Sequence, residues 1–66
     1  MKYRRWPETR DFVLGLLAED PFLTNREVGE ALGRSKAWGK VIMRRLIAEG
    51  WLTVEYEDAV RKVTVL

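Results

Sequence analysis

Between Arg34 and Arg45 the chain carries five cations, Arg34, Lys36, Lys40, Arg44 and Arg45, and no acid. Lys36, Lys40 and Arg44 recur every fourth residue, so on a helix they share a face. Ala37 and Val41 recur at the same interval beside them. Long cations reach phosphates and base edges, small neighbours let a helix approach closely, and an apolar contact can read a thymine methyl. That chemistry suits a polyanionic duplex. Other chemistries lack their residues. With no Cys and no His, disulfides, Cys/His zinc sites and imidazole bases are excluded together. No glycine loop is built to cradle phosphate, and no paired carboxylates suggest a cleft. Glu55 and Glu57 fall on one strand face with Asp58 opposed, as in a solvated turn. No enzyme activity, cofactor or metal is expected.

The charge pattern is blocked. Net charge is +2 over 66 residues, yet residues 1–10 carry +3, 11–33 carry −4, 34–45 carry +5 and 46–66 carry −2. Such asymmetry fits either nucleic-acid contact or two solvated faces. Hydrophobic content of 47% is too high for a disordered chain. A chain this short has a marginal core and depends on regular helix packing or a partner. The longest apolar runs are too short to span a membrane, and the basic start has no apolar stretch behind it. A soluble, cytoplasmic, nucleoid-associated protein of one domain is expected.

Pro7 and Glu8 mark a first helix over 7–19, with Phe12, Val13, Leu16 and Leu17 at helical spacing. It should stop before Pro21. Gly15 is costly inside it, and close packing is the expected reason. Thr24 and Glu27 form a capping box for a second helix over 25–32, with Leu23 placed as a staple on Val28 and Gly33 as the left-handed cap. Ser35 caps a third helix over 35–49, closed by Gly50. The period then changes to two: residues 51–56 and 60–65 read as strands about a turn at Glu57-Asp58-Ala59. Two helices joined around a glycine, the second basic and followed by a hairpin, make a winged helix-turn-helix. The fold class is α+β, mostly α: three helices within 7–50 after a basic arm over 1–6, then a two-stranded wing over 51–66.

Residues 24–52 resemble the winged helix-turn-helix of MarR-type and small phage, plasmid and archaeal regulators. Thr24 matches the capping threonine; Val28, Gly29 and Leu32 match an aliphatic, a small residue and a leucine. Leu32-Gly33 matches the pair that opens the turn. Ser35 matches the serine that starts the recognition helix, Ile42, Met43 and Leu46 match its apolar face, and Gly50-Trp51-Leu52 matches the lead into the wing. The chain departs at Gly39, where an aliphatic residue is usual, and at the acidic wing tip, Glu57-Asp58. The resemblance implies a sequence-preferring double-stranded DNA-binding protein, a small transcriptional regulator or repressor. Most such proteins meet DNA as dimers; with no dedicated dimerisation segment, a weak homodimer or cooperative binding on DNA is expected.

On helix three, Ser35, Gly39, Ile42 and Leu46, flanked by Met43 and Trp38, form the core side. Trp38 reads as core, filling space beside Gly29 and Gly39; its alternative is a contact to the sugar-phosphate backbone. Trp6 and Trp51 read as core or rim. On the open side, Lys36 and Arg45 are assigned to phosphates, Lys40 and Arg44 to base edges, and Ala37 and Val41 to close approach. Arg34 in the turn, Ser35, and Arg26 early in helix two add phosphate candidates. Thr24 and Asn25 offer backbone amides at the start of that helix. Arg4 and Arg5 lie in the arm, which either follows phosphates or frays. Arg61 and Lys62 point to opposite faces of the wing, so one can reach a phosphate. Leu52, Val54, Tyr56, Val63 and Val65 share the core face of the hairpin, whereas Val60, Leu66, Val41 and Ile47 are left as spare apolar surface. That surface and the acidic hairpin suit a protein partner, such as RNA polymerase or another DNA-binding protein. RNA binding is the third reading, with no exposed aromatic platform expected for single-strand stacking.

Overall fold

The computed structural model describes residues 5–66. Arg4, with most of the basic arm, lies outside the described residues. Helix α1 (Trp6–Glu19) starts with Pro7 in its first turn and Glu8 near its positive end, after an extended Arg5. It ends at an extended Asp20, ahead of Pro21, as proline sterics require. Helix α2 (Asn25–Ala31) opens on a complete capping box. The Thr24 hydroxyl accepts from the Glu27 amide at 3.2 Å, and the Glu27 carboxylate accepts from the Thr24 amide at 3.0 Å. Gly33, at φ 69°, takes the left-handed geometry that ends the helix and turns the chain. Helix α3 (Lys36–Ala48) is capped by Ser35, whose hydroxyl accepts from the Trp38 amide at 3.4 Å.

Strands β1 (Leu52–Glu57) and β2 (Val60–Val65) pair antiparallel, Leu52 opposite Val65 and Glu57 opposite Val60. The turn is therefore two residues, not three, and Glu57 belongs to the ladder. Asp58 and Ala59 have φ of 50° and 65°, the signs of a type I′ turn, whose twist matches that of the strands. For Ala59 the geometry is strained, since a β-carbon crowds the carbonyl there.

All five elements feed one core: Val13 and Leu17, Val28, Ile42, Met43 and Leu46, then Leu52 and Val63. Trp6, Leu23, Trp38, Val54 and Val65 pack around it, half-buried. The outer edge of β2 is not left bare. The Val63 amide donates to the Pro21 carbonyl at 2.8 Å, which seats the α1–α2 connection beside the hairpin and consumes an edge donor. The alternation expected for the core face holds at Leu52, Val54, Val63 and Val65 but runs out at Tyr56. That side chain shares the face yet is 72% exposed, bordering an open groove instead of the core.

Three packing expectations need correction. Ser35 is exposed, not part of the core side; it is its backbone carbonyl that packs inward, against Gly29. Gly15 packs against nothing: a β-carbon there meets open space. And no side chain fills the space at Gly29 and Gly39. The two helix backbones fill it themselves. A β-carbon on Gly39 would overlap the Asn25 carbonyl oxygen and come within 2.9 Å of the Gly29 amide; one on Gly29 would overlap the Ser35 carbonyl. Trp38 sits beside this crossing, not in it, half-buried at the core margin. The departure from an aliphatic residue at Gly39 is thus demanded by backbone-to-backbone contact.

These glycines should respond oppositely to the same change. Gly39→Ala is expected to cost about 3 kcal/mol or more, since rigid backbone must move. Gly15→Ala should gain about 0.5–1 kcal/mol from helix propensity, and Ala59→Gly about 1 kcal/mol by removing turn strain. Urea unfolding midpoints of the three variants check all of this; a neutral Gly39→Ala would refute the crossing.

Candidate nucleic-acid interface

Placing Gly39, Ile42, Met43 and Leu46 inward fixes what α3 presents outward. Lys36, Ala37, Lys40, Val41, Arg44 and Ala48 are all exposed. Lys36, Lys40 and Arg44 run as a line with about 6 Å of helical rise between neighbours, and Ala37 and Val41 run beside it. No acid lies between Arg34 and Glu49. The face therefore combines three freely presented cations with a low central ridge. It can approach a polyanion closely, and its guanidinium and ammonium groups extend beyond the ridge to donate hydrogen bonds.

Arg45 is placed differently from the other cations. Its Nε donates to Glu49 at 2.9 Å, and its guanidinium stacks over the Trp6 ring, 3.9 Å from the centroid. The same Glu49 carboxylate accepts from the indoles of Trp6, at 3.1 Å, and Trp51, at 2.9 Å. Arg10 stacks over Trp51 at 4.4 Å from its centroid. Two cations, two indoles and one carboxylate thus tie the start of α1 to the end of α3 and the entry to β1. Guanidinium–aromatic stacking of this kind contributes about 0.5–1 kcal/mol per pair at exposed sites. Arg45 thus serves this clamp, while about half of its side chain remains exposed. Arg5 adjoins Trp6 and is exposed at that end of α3.

Arg61 also serves the fold. Half-buried, it donates to the Asn25 side-chain oxygen at 2.5 Å and to the Leu23 carbonyl at 2.6 Å. It pins β2 to the start of α2, and Asn25 is occupied as its acceptor. The Thr24 amide is taken by Glu27, so it is not offered to a phosphate. Lys62 faces the other side of the hairpin, opposite Glu55 and exposed. Arg34 is exposed in the turn, 5.7 Å from the Trp38 ring centroid, and Arg26 is exposed on the first turn of α2. The structure thus brings Lys36, Lys40 and Arg44 together with Ala37 and Val41, sets Arg26 and Arg34 at the margin, and engages Arg45, Arg61, Thr24 and the Asn25 side chain in contacts within the fold.

Sequence reasoning missed three features. The Arg45–Glu49 spacing of four residues was the available signal for the clamp. Nothing local links Arg61 to Asn25, thirty-six positions away. The exposed rings of Tyr56 and Phe22, which line one groove, were also missed, because Tyr56 reads as core by alternation. No protein-family model, curated protein or solved structure matches the chain.

The clamp has a pH signature. The hydrogen bond from Arg45 is the largest influence on the Glu49 carboxyl; desolvation, the next, opposes it, and further hydrogen bonds from Trp51 and Trp6 help to hold the group below the ordinary carboxylate range. A lowered folded-state pKa contributes stability that is present above the unfolded value and is lost as pH falls through the folded one. Glu49→Gln should therefore be less stable than wild type at neutral pH, and the gap should close in acid once Glu49 is protonated. Melting curves of both proteins across the acid range check this; a gap that is independent of pH would refute the clamp.

Proposed function

We propose that the chain is a double-stranded DNA-binding protein of the winged helix-turn-helix type that reads the major groove with α3 and acts as a small transcriptional regulator. One observation carries the reading: the exposed, acid-free face of α3, where Lys36, Lys40 and Arg44 flank Ala37 and Val41. The close crossing of α2 on α3 supports it, because a helix that enters a groove must be held rigidly by its neighbour. In this reading Lys40 and Arg44 address base edges, and Lys36, Arg26 and Arg34 address phosphates. Arg45 and Arg61 in this reading support the duplex-contacting face through the contacts they make within the fold. A two-fold operator met by a weak dimer, or cooperative binding of monomers, accounts for specificity beyond the reach of a single helix.

A second reading rests on a separate observation. Val41, Ile47 and Val60 are exposed, each near half of its surface, and Glu57 and Asp58 project at the hairpin tip. An acidic tip beside the exposed Val60, on a protein with further apolar side chains open to solvent, suits a basic protein partner. Under that reading duplex binding would be absent or insensitive to salt.

Selection from random duplexes at two salt concentrations separates the two. The DNA reading expects an enriched motif and a log-affinity against log-salt slope of about −0.9 per phosphate neutralised. Arg44→Ala should cost about 1–3 kcal/mol on the selected site and relax its base preference, whereas Lys36→Ala should weaken all sequences alike and reduce the slope by about one contact. Arg45→Ala should lower the melting temperature more than it changes the slope. Wild-type affinity in both Arg44→Ala and Lys36→Ala would remove the DNA reading. Preference for RNA over duplex DNA would replace it with the third.

A further inference from the structure

A groove of about 520 Å³ opens between the hairpin tip, the segment leading into α2 and the first residue of α3. Phe22, Tyr56 and Val60 give it apolar walls, and Arg26, Lys36 and Arg61 give it three cations. No acid lines it. Strand alternation accounts for part of this despite the acidic hairpin: Tyr56 and Arg61 are opposite one another on the core-side face, while Glu55 and Glu57 belong to the other face, which Val60, opposite Glu57, shares although it borders the groove at the tip. The rings are presented to solvent, Tyr56 at 72% and Phe22 at 54% exposure. Arg61 is immobilised by Asn25 and Leu23, so its charge is fixed in the groove before any ligand arrives. Exposed rings beside fixed and mobile cations complement a ligand that is both flat and anionic. A nucleotide has that chemistry: a base face to stack on Phe22 or Tyr56, and a phosphate for Lys36 and Arg26.

Lys36 decides between a free nucleotide and a strand. It lines the groove and also begins the basic line of α3. A strand whose duplex part lies on α3 is thereby led toward the two rings. We propose that the groove takes an unpaired nucleotide of a DNA strand continuous with the duplex on α3, so that the preferred target is a boundary between duplex and single strand. The inference rests on the duplex reading above and adds a second site to it.

The experiment compares a blunt labelled DNA duplex with the same duplex carrying a short thymine overhang, by fluorescence anisotropy on the intact chain. The overhang should bind about tenfold tighter, in line with stacking of a single base. Tyr56→Ala and Phe22→Ala should each lose most of that gain, leave blunt-duplex affinity unchanged and melt as wild type, since both rings are exposed. Tyr56→Phe should retain the gain. Equal affinity for blunt and overhanging duplexes overturns the groove while leaving the duplex reading standing, as does a gain that survives in the double Phe22, Tyr56 variant. Binding of a free single strand through the two rings, with no binding of blunt duplex, overturns both the duplex reading and the preference for a boundary. Displacement of the overhang by thymidine monophosphate as effectively as by the oligonucleotide overturns the strand in favour of a small nucleotide ligand.

Discussion

The contact between α2 and α3 at Gly29 and Gly39 is made by backbone, and the rest of the structure depends on that. Apolar side chains in a core exchange rotamers and tolerate small shifts between helices. Two backbones in van der Waals contact do not, because neither has a side chain to rearrange. With the Asn25 and Ser35 carbonyls lying where β-carbons would otherwise stand, α3 has one seat on α2. Its rotation about its own axis then follows from Ile42, Met43 and Leu46, which must face Val13, Leu17 and Val28. The basic face is outward because no other rotation buries those residues. Ser35 has two duties at this point. Its hydroxyl caps α3, and its carbonyl packs against Gly29.

Around that seat the cations divide into two kinds. Arg10 and Arg45 are stacked on indoles, and Arg61 is bonded into the loop before α2. Each of the three ties together elements that are distant in sequence, in a chain too small to bury much apolar surface. A planar guanidinium with several donors suits this work better than an ammonium, since it stacks and donates at once. Lys36, Lys40 and Arg44 have no such ties among the described residues and stand on the open face. A count of charge along the chain treats both kinds alike. The useful distinction is whether an aromatic ring or a carbonyl lies within reach, and that follows from the fold.

The layout itself was legible because its signals are local. Pro7, the Thr24–Glu27 box, Gly33, Ser35, Gly50 and the change of period after Trp51 are each read within a few residues, and the three helices and the hairpin lie within about a residue of where those signals place them. The outward face of α3 was legible for the same reason: one turn of helix repeats every 3.6 residues wherever it sits. What depended on distance in sequence was not. Gly39 departs from its family-like pattern at a point where only the position of Asn25 explains it. Tyr56 alternates correctly with the core face, yet alternation carries no information on what packs over each position of a strand. Gly15 shows the opposite error, a packing role supplied where the structure leaves open space.

The hairpin register links this last point to chemistry. Two pairs on its core-side face, Leu52 with Val65 and Val54 with Val63, pack on the core; the third, Tyr56 with Arg61, lies outside it, at the start of α2. The two-residue turn at Asp58 and Ala59 fixes which residues form that third pair. A slip by one position would exchange the faces of one strand and bring Lys62 or Glu55 into a layer that must be apolar, so the core defends the register from one end while the turn sets it from the other. In the native register an acidic hairpin presents a tyrosine and an arginine to the groove and keeps Glu55 and Glu57 on its far side. The sign of the groove is thus set by turn geometry and core packing together, not by the net charge of the segment that builds it. An acidic hairpin tip is therefore no argument against an anionic ligand on the hairpin's inner face.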